Sequence, residues 1–252
     1  MTRTLLLLAG GVAALAAGGL LWPNGSEPAA AYPAVATHGA PVLVELFTSQ
    51  GCSSCPPADQ LGIALSREPG LVVVSRPVTY WDRLGWKDTL AREGNTTLQQ
   101  DYARRGLAGR NGVYTPQLVV DGRFGTVGSR ADDVAAGIAR YAAGGDAAIA
   151  VKAADQAGYA VDLSGKTEGR AELVLLAVTR HVDVVIGSGE NGGRKVGYAN
   201  VLREERKLAD WSGGKATINL AAGQLKVKGA DRYALVLRQP GGGKVLAARW
   251  LG

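Results

Sequence analysis

The stretch at 41–57, Pro-Val-Leu-Val-Glu-Leu-Phe-Thr-Ser-Gln-Gly-Cys-Ser-Ser-Cys-Pro-Pro, constrains this chain more than any other. Residues 42–47 form an apolar run rich in valine and leucine, the pattern of a strand buried on both faces. Ser49-Gln50-Gly51 breaks the run and delivers Cys52 and Cys55, the 2 cysteines of a 252-residue chain. Past two prolines, Ala58, Leu61, Ile63, Ala64 and Leu65 carry a helical apolar spacing. Strand, tight turn, Cys-x-x-Cys and helix in that order have a chemical use. A helix N-terminus offers unpaired N–H groups and partial positive charge, which stabilise a thiolate placed there. Cys52, nearer the exposed end, is the expected nucleophile, and Cys55 the resolving thiol.

The N-terminus bears on what that pair does. Arg3 precedes an apolar run over 5–22, then a Pro23-Asn24-Gly25-Ser26 break and small residues at 29–31. This pattern predicts a signal peptide over 1–31, or an uncleaved N-terminal anchor, followed by a lead-in arm over 32–40. No later run is long enough to span a membrane, so membrane contact is expected only through that segment. Export puts the cysteines in an oxidising compartment, where a disulfide forms by default. A staple across two intervening residues removes little unfolded-state entropy, so redox work explains the spacing better. The net charge of +6 is spread along the chain, which predicts a solvated surface and no nucleic-acid partner.

After the first strand and helix, residues 71–75 read as a second buried strand and 79–88 as an irregular aromatic segment. A polar helix over 96–105 and a strand within 113–123 follow, the latter ending in Asp121-Gly122, a hairpin signal. A return strand at 124–127 and a helix at 132–143, capped by Ser129, complete a β-α-β-α-β-β-α order. From 146 onward the texture changes. Apolar runs at 148–153, 159–163, 171–179, 182–186, 216–220, 233–237 and 245–250 read as short antiparallel strands.

The first-half order, with Thr115-Pro116 opening the third strand, resembles the thioredoxin superfamily. The resemblance implies an α/β thioredoxin-like domain over 41–145 and, after it, an antiparallel β-rich, sandwich-like domain over 146–252. It also implies that Pro116 is cis and packs beside the disulfide, with Thr115 offering backbone hydrogen bonds to a bound peptide. Gly51-Cys52-Ser53-Ser54-Cys55-Pro56-Pro57-Ala58-Asp59, Tyr80-Trp81-Asp82, Leu84-Gly85-Trp86-Lys87-Asp88 and Tyr114-Thr115-Pro116-Gln117 are similar to an exported bacterial thioredoxin-like family of unknown function. The similarity extends to Gly189-Glu190-Asn191-Gly192-Gly193-Arg194 and Asn200-Val201. One departure is Pro77-Val78-Thr79, where the family implies His-Val-Asp. Such a likeness carries a fold and a compartment, not a reaction.

Glu45 interrupts the first strand seven residues before Cys52, close to where thioredoxin carries a buried, proton-relaying carboxylate. It reads either as a general base for Cys55 or as an edge glutamate facing solvent. Asp59 reads as a first-turn helix charge. Tyr80 and Trp81, with Trp86, line a groove beside the disulfide or serve as core. Beyond the cysteines only His38 and His181 suit a transition metal, too few for a structural zinc site, so no metal or cofactor is assigned. Gly187 to Gly192 matches G-x-G-x-x-G, but no helical pattern follows, and it reads as a hairpin loop. Asn95-Thr96-Thr97 is a glycosylation sequon. The expected function is a thiol-disulfide oxidoreductase acting on exported protein thiols or disulfides, or on a redox partner protein. The alternative is a binding or scaffold protein whose cysteine pair is inert or clamps copper or zinc.

Overall fold

A computed structural model describes residues 41–107, 112–154 and 158–251. The expected signal segment and lead-in arm lie outside them, as does His38. Strands β1 (Val42–Thr48) and β2 (Leu71–Pro77) pair in parallel and are buried along their whole length. Helix α1 (Pro56–Leu65) connects them and carries proline at its first two positions, where a missing N–H is no loss. Helix α2 (Glu93–Arg104) leads to β3 (Gln117–Val120), which runs antiparallel to β1 and returns as β4 (Phe124–Val127). In the three-residue connection Asp121 and Gly122 sit at φ 48° and 60°, the left-handed centre of a turn that Arg123 N closes by donating to Val120 O at 2.9 Å. Helix α3 (Ala131–Tyr141) follows with Arg130, not Ser129, at its cap.

Alternation along β1 divides the first half into two faces. Val42, Val44 and Leu46 pack with Leu61 and Leu65 of α1 and Val134 and Ile138 of α3. Phe47, on the opposite face, packs with Leu98 and Tyr102 of α2.

The remaining strands are β5 (Ala147–Ala154), β6 (Gly158–Gly165), β7 (Ala171–Val185), β8 (Lys195–Trp211), β9 (Ala216–Ala221), β10 (Arg232–Arg238) and β11 (Val245–Leu251). They do not make a separate sandwich. Among the described residues the chain builds one eight-stranded mixed sheet, ordered β11-β10-β7-β8-β2-β1-β3-β4, and one three-stranded sheet, β5-β6-β9. The expected fold class is therefore corrected: the described residues are mostly β with three α-helices, not an α/β thioredoxin-like domain followed by a sandwich-like one.

The joint is β2 against β8, parallel at Ser75 and Val201, with the Ser75 hydroxyl donating to Ala199 O at 2.7 Å. The large sheet curls, so that Val174, Leu176, Val236 and Ala248 meet Leu43, Val72 and Val74. Trp250 Nε1 closes the curl by donating to Leu71 O at 2.9 Å.

The physical reason for the correction lies in β8. Its middle, Arg203-Glu204-Glu205-Arg206-Lys207, has no apolar alternation, and no strand is expected there from sequence. The charges are met inside the fold. Arg76 on β2 donates to Glu45 on β1 and to Glu205 on β8, each at 2.7 Å, and Glu205 also pairs with Arg238 on β10. A ladder of buried charge thus crosses four strands and both halves of the chain. Among the described residues no helix is long and apolar enough to cross a membrane.

Candidate active site around the Cys52–Cys55 disulfide

Cys52 and Cys55 form a disulfide with Cα atoms 5.4 Å apart. The pair lies at the mouth of α1. Cys55 is the N-cap residue, and its carbonyl accepts from Ala58 N at 2.9 Å and Asp59 N at 3.0 Å. Both cysteines are fully buried, while Ser53 and Ser54 between them are exposed. The Ser54 hydroxyl lies 3.4 Å from Cys52 Sγ.

Thr115 and Pro116 are brought to this mouth from β3. The peptide bond between them is cis. Pro116 approaches α1 across Gly128, where a Cβ would stand 2.8 Å from the Leu46 side chain, 3.2 Å from Ala58 and 3.3 Å from Pro116. Only glycine leaves that approach open. Trp81 packs over Gly51, beside Cys52, and its Nε1 donates to Thr115 Oγ1 at 2.8 Å. Tyr80 and Trp81 are half-buried and pack on the Phe47 and Tyr102 cluster, so they combine the core and rim roles. Burial pushes the Tyr80 phenol up to about 12, against partial offsets from Gln99, Thr115 and Trp81.

Glu45 is not brought to the cysteines. By alternation it shares the face of Leu43 and Phe47, opposite the face that α1 covers. One of its oxygens accepts from Arg76, and the other accepts from the Tyr102 hydroxyl. It is neither an edge glutamate in solvent nor a base at Cys55, but half of a buried ion pair.

The buried acid of α1 is Asp59, four residues after Cys55, which is 2% exposed and not a solvated helix-start charge. Neither of its oxygens makes a hydrogen bond of good geometry. Burial raises its pKa well above the carboxylate range; the nearby Thr48 hydroxyl offsets this in part, and Asp88 adds to it. Asp88 is itself raised by burial, though it accepts from Gln50 N at 2.8 Å and Leu90 N at 2.8 Å.

The second half supplies residues that motif reading leaves unassigned. The 186–194 loop joins β7 to β8, and its Gly189-Glu190-Asn191-Gly192 segment lies against the cysteines. Asn191, 1% exposed, donates through Nδ2 to Gln50 O at 3.0 Å and Cys52 O at 2.8 Å. Its Oδ1 accepts from Arg194 at 3.2 Å. Glu190 accepts from Ser53 N at 3.1 Å, and hydrogen bonds from Ser53 hold its pKa below the usual range. Gly187 lets the loop lie on Trp86, since a Cβ there would stand 2.8 Å from the indole ring. Trp86 Nε1 in turn donates to Gln50 Oε1 at 2.8 Å. The G-x-G-x-x-G match is thus a clamp on the cysteine turn, followed by strand β8 and not by a helix.

His181 is exposed on β7 beside Asp183 at 3.0 Å, remote in sequence from any other metal ligand type except that acid. No group of three or more His, Cys, Asp or Glu side chains among the described residues is placed to hold a metal ion. Asn95 is fully buried and donates to Pro77 O at 2.8 Å, so the sequon is closed to modification in the folded protein.

None of the curated proteins matches the chain. A crystal structure of a protein from Agrobacterium tumefaciens is 31% identical, with a TM-score of 0.70, over 86% of this chain and 96% of that one. HBP35 of Porphyromonas gingivalis is 11% identical, with a TM-score of 0.48, over 84% of this chain and 75% of that one, a likeness that bears on neither fold nor function. The family model described as protein of unknown function (DUF1223) matches residues 43–238, and the chain belongs to that family.

Proposed function

We propose that this chain is a thiol-disulfide oxidoreductase acting on protein substrates in an oxidising compartment, with the kind of Cys-x-x-Cys exchange that thioredoxin-like proteins perform. What carries the reading is the company the disulfide keeps: Cys55 at the N-cap of α1, with Trp81 and Thr115-Pro116 gathered beside it. The signal-like pattern at 1–31 supports the compartment. In the reducing direction, a Cys52 thiolate attacks a substrate disulfide. A Cys52–substrate S–S bond forms, and the first substrate sulfur leaves with the electron pair and takes a proton. The Cys55 thiol then gives up its proton and attacks the Cys52 sulfur, releasing the second substrate thiol and restoring the Cys52–Cys55 bond. Two protein thiols are oxidised and one substrate disulfide is reduced to two thiols; the reverse sequence oxidises a substrate.

A second reading is favoured by one observation: both cysteines are fully buried. A partner reaches Cys52 only if the residues that cover it give way, and a pair that is never reached is a structural disulfide. The reduction potential separates the two, measured in glutathione buffers by thiol alkylation and mass. A value between about −120 and −270 mV supports exchange, and one below about −300 mV makes the disulfide structural. With an active pair, Cys55→Ser accumulates mixed disulfides through Cys52.

A further inference from the structure

We infer that Glu190 is a positioning residue that sets the acidity of the Cys52 thiol in the reduced protein, an inference that rests on the exchange reading above. A thiolate at a helix start draws its stability from backbone N–H groups and partial positive charge. The first N–H beyond Cys52 belongs to Ser53, and the Glu190 carboxylate already accepts it at 3.1 Å. That carboxylate stands one peptide bond from Cys52, on the exposed side of the turn. Asn191 holds it there by its bonds to the carbonyls of Gln50 and Cys52. A Cys52 thiolate therefore forms beside a resident negative charge and with the Ser53 N–H already occupied, and both effects favour the thiol; the Ser54 hydroxyl, 3.4 Å from Cys52 Sγ, is the donor left to the sulfur.

The other charged groups around the turn do not reverse this. Asp59 on α1 and Asp88 on the 79–91 segment are buried acids, which bring no positive charge to the turn, and burial raises the pKa of each. Asp82 accepts from Asp88 N at 3.1 Å, and Arg194 is directed to Asn191. Glu190 is exposed and held ionised by Ser53. Salt therefore weakens its influence, and a like charge at this range raises a thiol's pKa by about one unit after screening.

The test is Glu190→Gln, which keeps an oxygen acceptor for Ser53 and removes the charge. Thiolate absorbance against pH is read on a Cys55→Ser background. The rate of Cys52 alkylation against pH is read on the chemically reduced native pair, in case that background folds poorly. The Cys52 midpoint is expected to fall by about one unit. At a pH a unit or more below both midpoints the thiolate fraction then rises about tenfold, and the rate with a small aromatic disulfide about threefold, because nucleophilicity drops as the pKa drops. Molar potassium chloride should reproduce part of the shift in the parent protein and little in Glu190→Gln. Asn191→Ala releases the carboxylate from the turn and should lower the midpoint in part, whereas Glu190→Asp keeps a charge there and should leave the midpoint nearer the parent value. An unchanged midpoint in Glu190→Gln overturns the inference, as does a fall in Glu190→Asp equal to that in Glu190→Gln. A lowered midpoint in a protein whose pair sits below about −300 mV would sink the exchange reading and leave the Glu190 assignment standing.

Discussion

Strand β2 has two neighbours that differ in nearly everything a sequence shows. β1 is seven residues long, apolar but for Glu45 and Thr48, and buried throughout. β8 is 17 residues long, buried over 198–202, and crowded with charge beyond. Both still give one carboxylate to the same guanidinium, Glu45 and Glu205 each at 2.7 Å from Arg76. Burial alone would lower the Arg76 pKa, but those two carboxylates raise it, so it is charged at every accessible pH. The difference teaches that two kinds of information place a strand. Burial of apolar area places β1. Complementary partners from the surrounding chain place β8: Arg76 and Arg238 for Glu205, Glu172 for Lys207 and Arg170 for Asp210.

The largest test of this comparison is Arg76→Leu. It leaves Glu45 buried beside Tyr102 without its cation, and a loss of about 3–5 kcal/mol in urea unfolding is expected. A loss under about 1 kcal/mol would mean that β1 and β8 are held without their shared charge.

The pH dependence sharpens the comparison from both sides. On the β8 side, burial would raise Glu205, but Arg76 and Arg238 override it and lower its pKa to about 2. Its folded pKa lies below the unfolded one, so its contribution is complete above the ordinary glutamate pKa. That contribution is lost as the pH falls through about 2, and Glu205→Gln should flatten this acid limb. On the β1 side, Asp121 accepts from Leu43 N at 2.8 Å, and burial raises its pKa to about 7 despite that bond and Arg123. Here the folded protein holds the proton more tightly, so stability falls as the pH rises from about 4 to about 7. Asp121→Asn keeps the acceptor, tolerates the φ of 48°, and should remove that slope, a difference of about 4 kcal/mol at pH 8. An unchanged slope in thermal melts between pH 4 and 8 would assign the titration elsewhere.

Smaller effects probe the second half's hold on the first. Asn191→Ala deletes two hydrogen bonds to the cysteine turn, and about 1–2 kcal/mol of stability should go with them. Reduction of the disulfide by a small thiol should accelerate, read by alkylation of quenched samples. Ser75→Ala deletes the hydroxyl bond to Ala199 and should cost about 1 kcal/mol. If Ser75→Ala instead exceeded Arg76→Leu, the joint would rest on that hydroxyl bond rather than on charge.

Much of the first half is legible from residues 41–145 because its cues are local. The apolar runs of β1 and β2, the prolines before Ala58 and the Asp121-Gly122 turn each act within a few residues. The Cys-x-x-Cys spacing points to the disulfide for the same reason. Glu45 misleads because position along a strand gives the face only once the register and the covering helix are known. Asp59 misleads because a carboxylate in a first helical turn is ordinarily solvated. The Glu190-Asn191 clamp is illegible because its partners, Gln50, Cys52 and Ser53, lie nearly 140 residues away.

The sequence by itself determined the strand–turn–helix unit that carries the two cysteines, the hairpin after Val120 and most of the later strands. In each, apolar period and turn residues suffice. Only the tertiary structure decided that those strands join the first half in one sheet, that Asp59 and not Glu45 lies on the disulfide's side, and that a distant hairpin closes over Cys52. Each of these depends on electrostatic and hydrogen-bond partners far apart in the chain. A charged strand reads as surface until the opposite charges facing it are known.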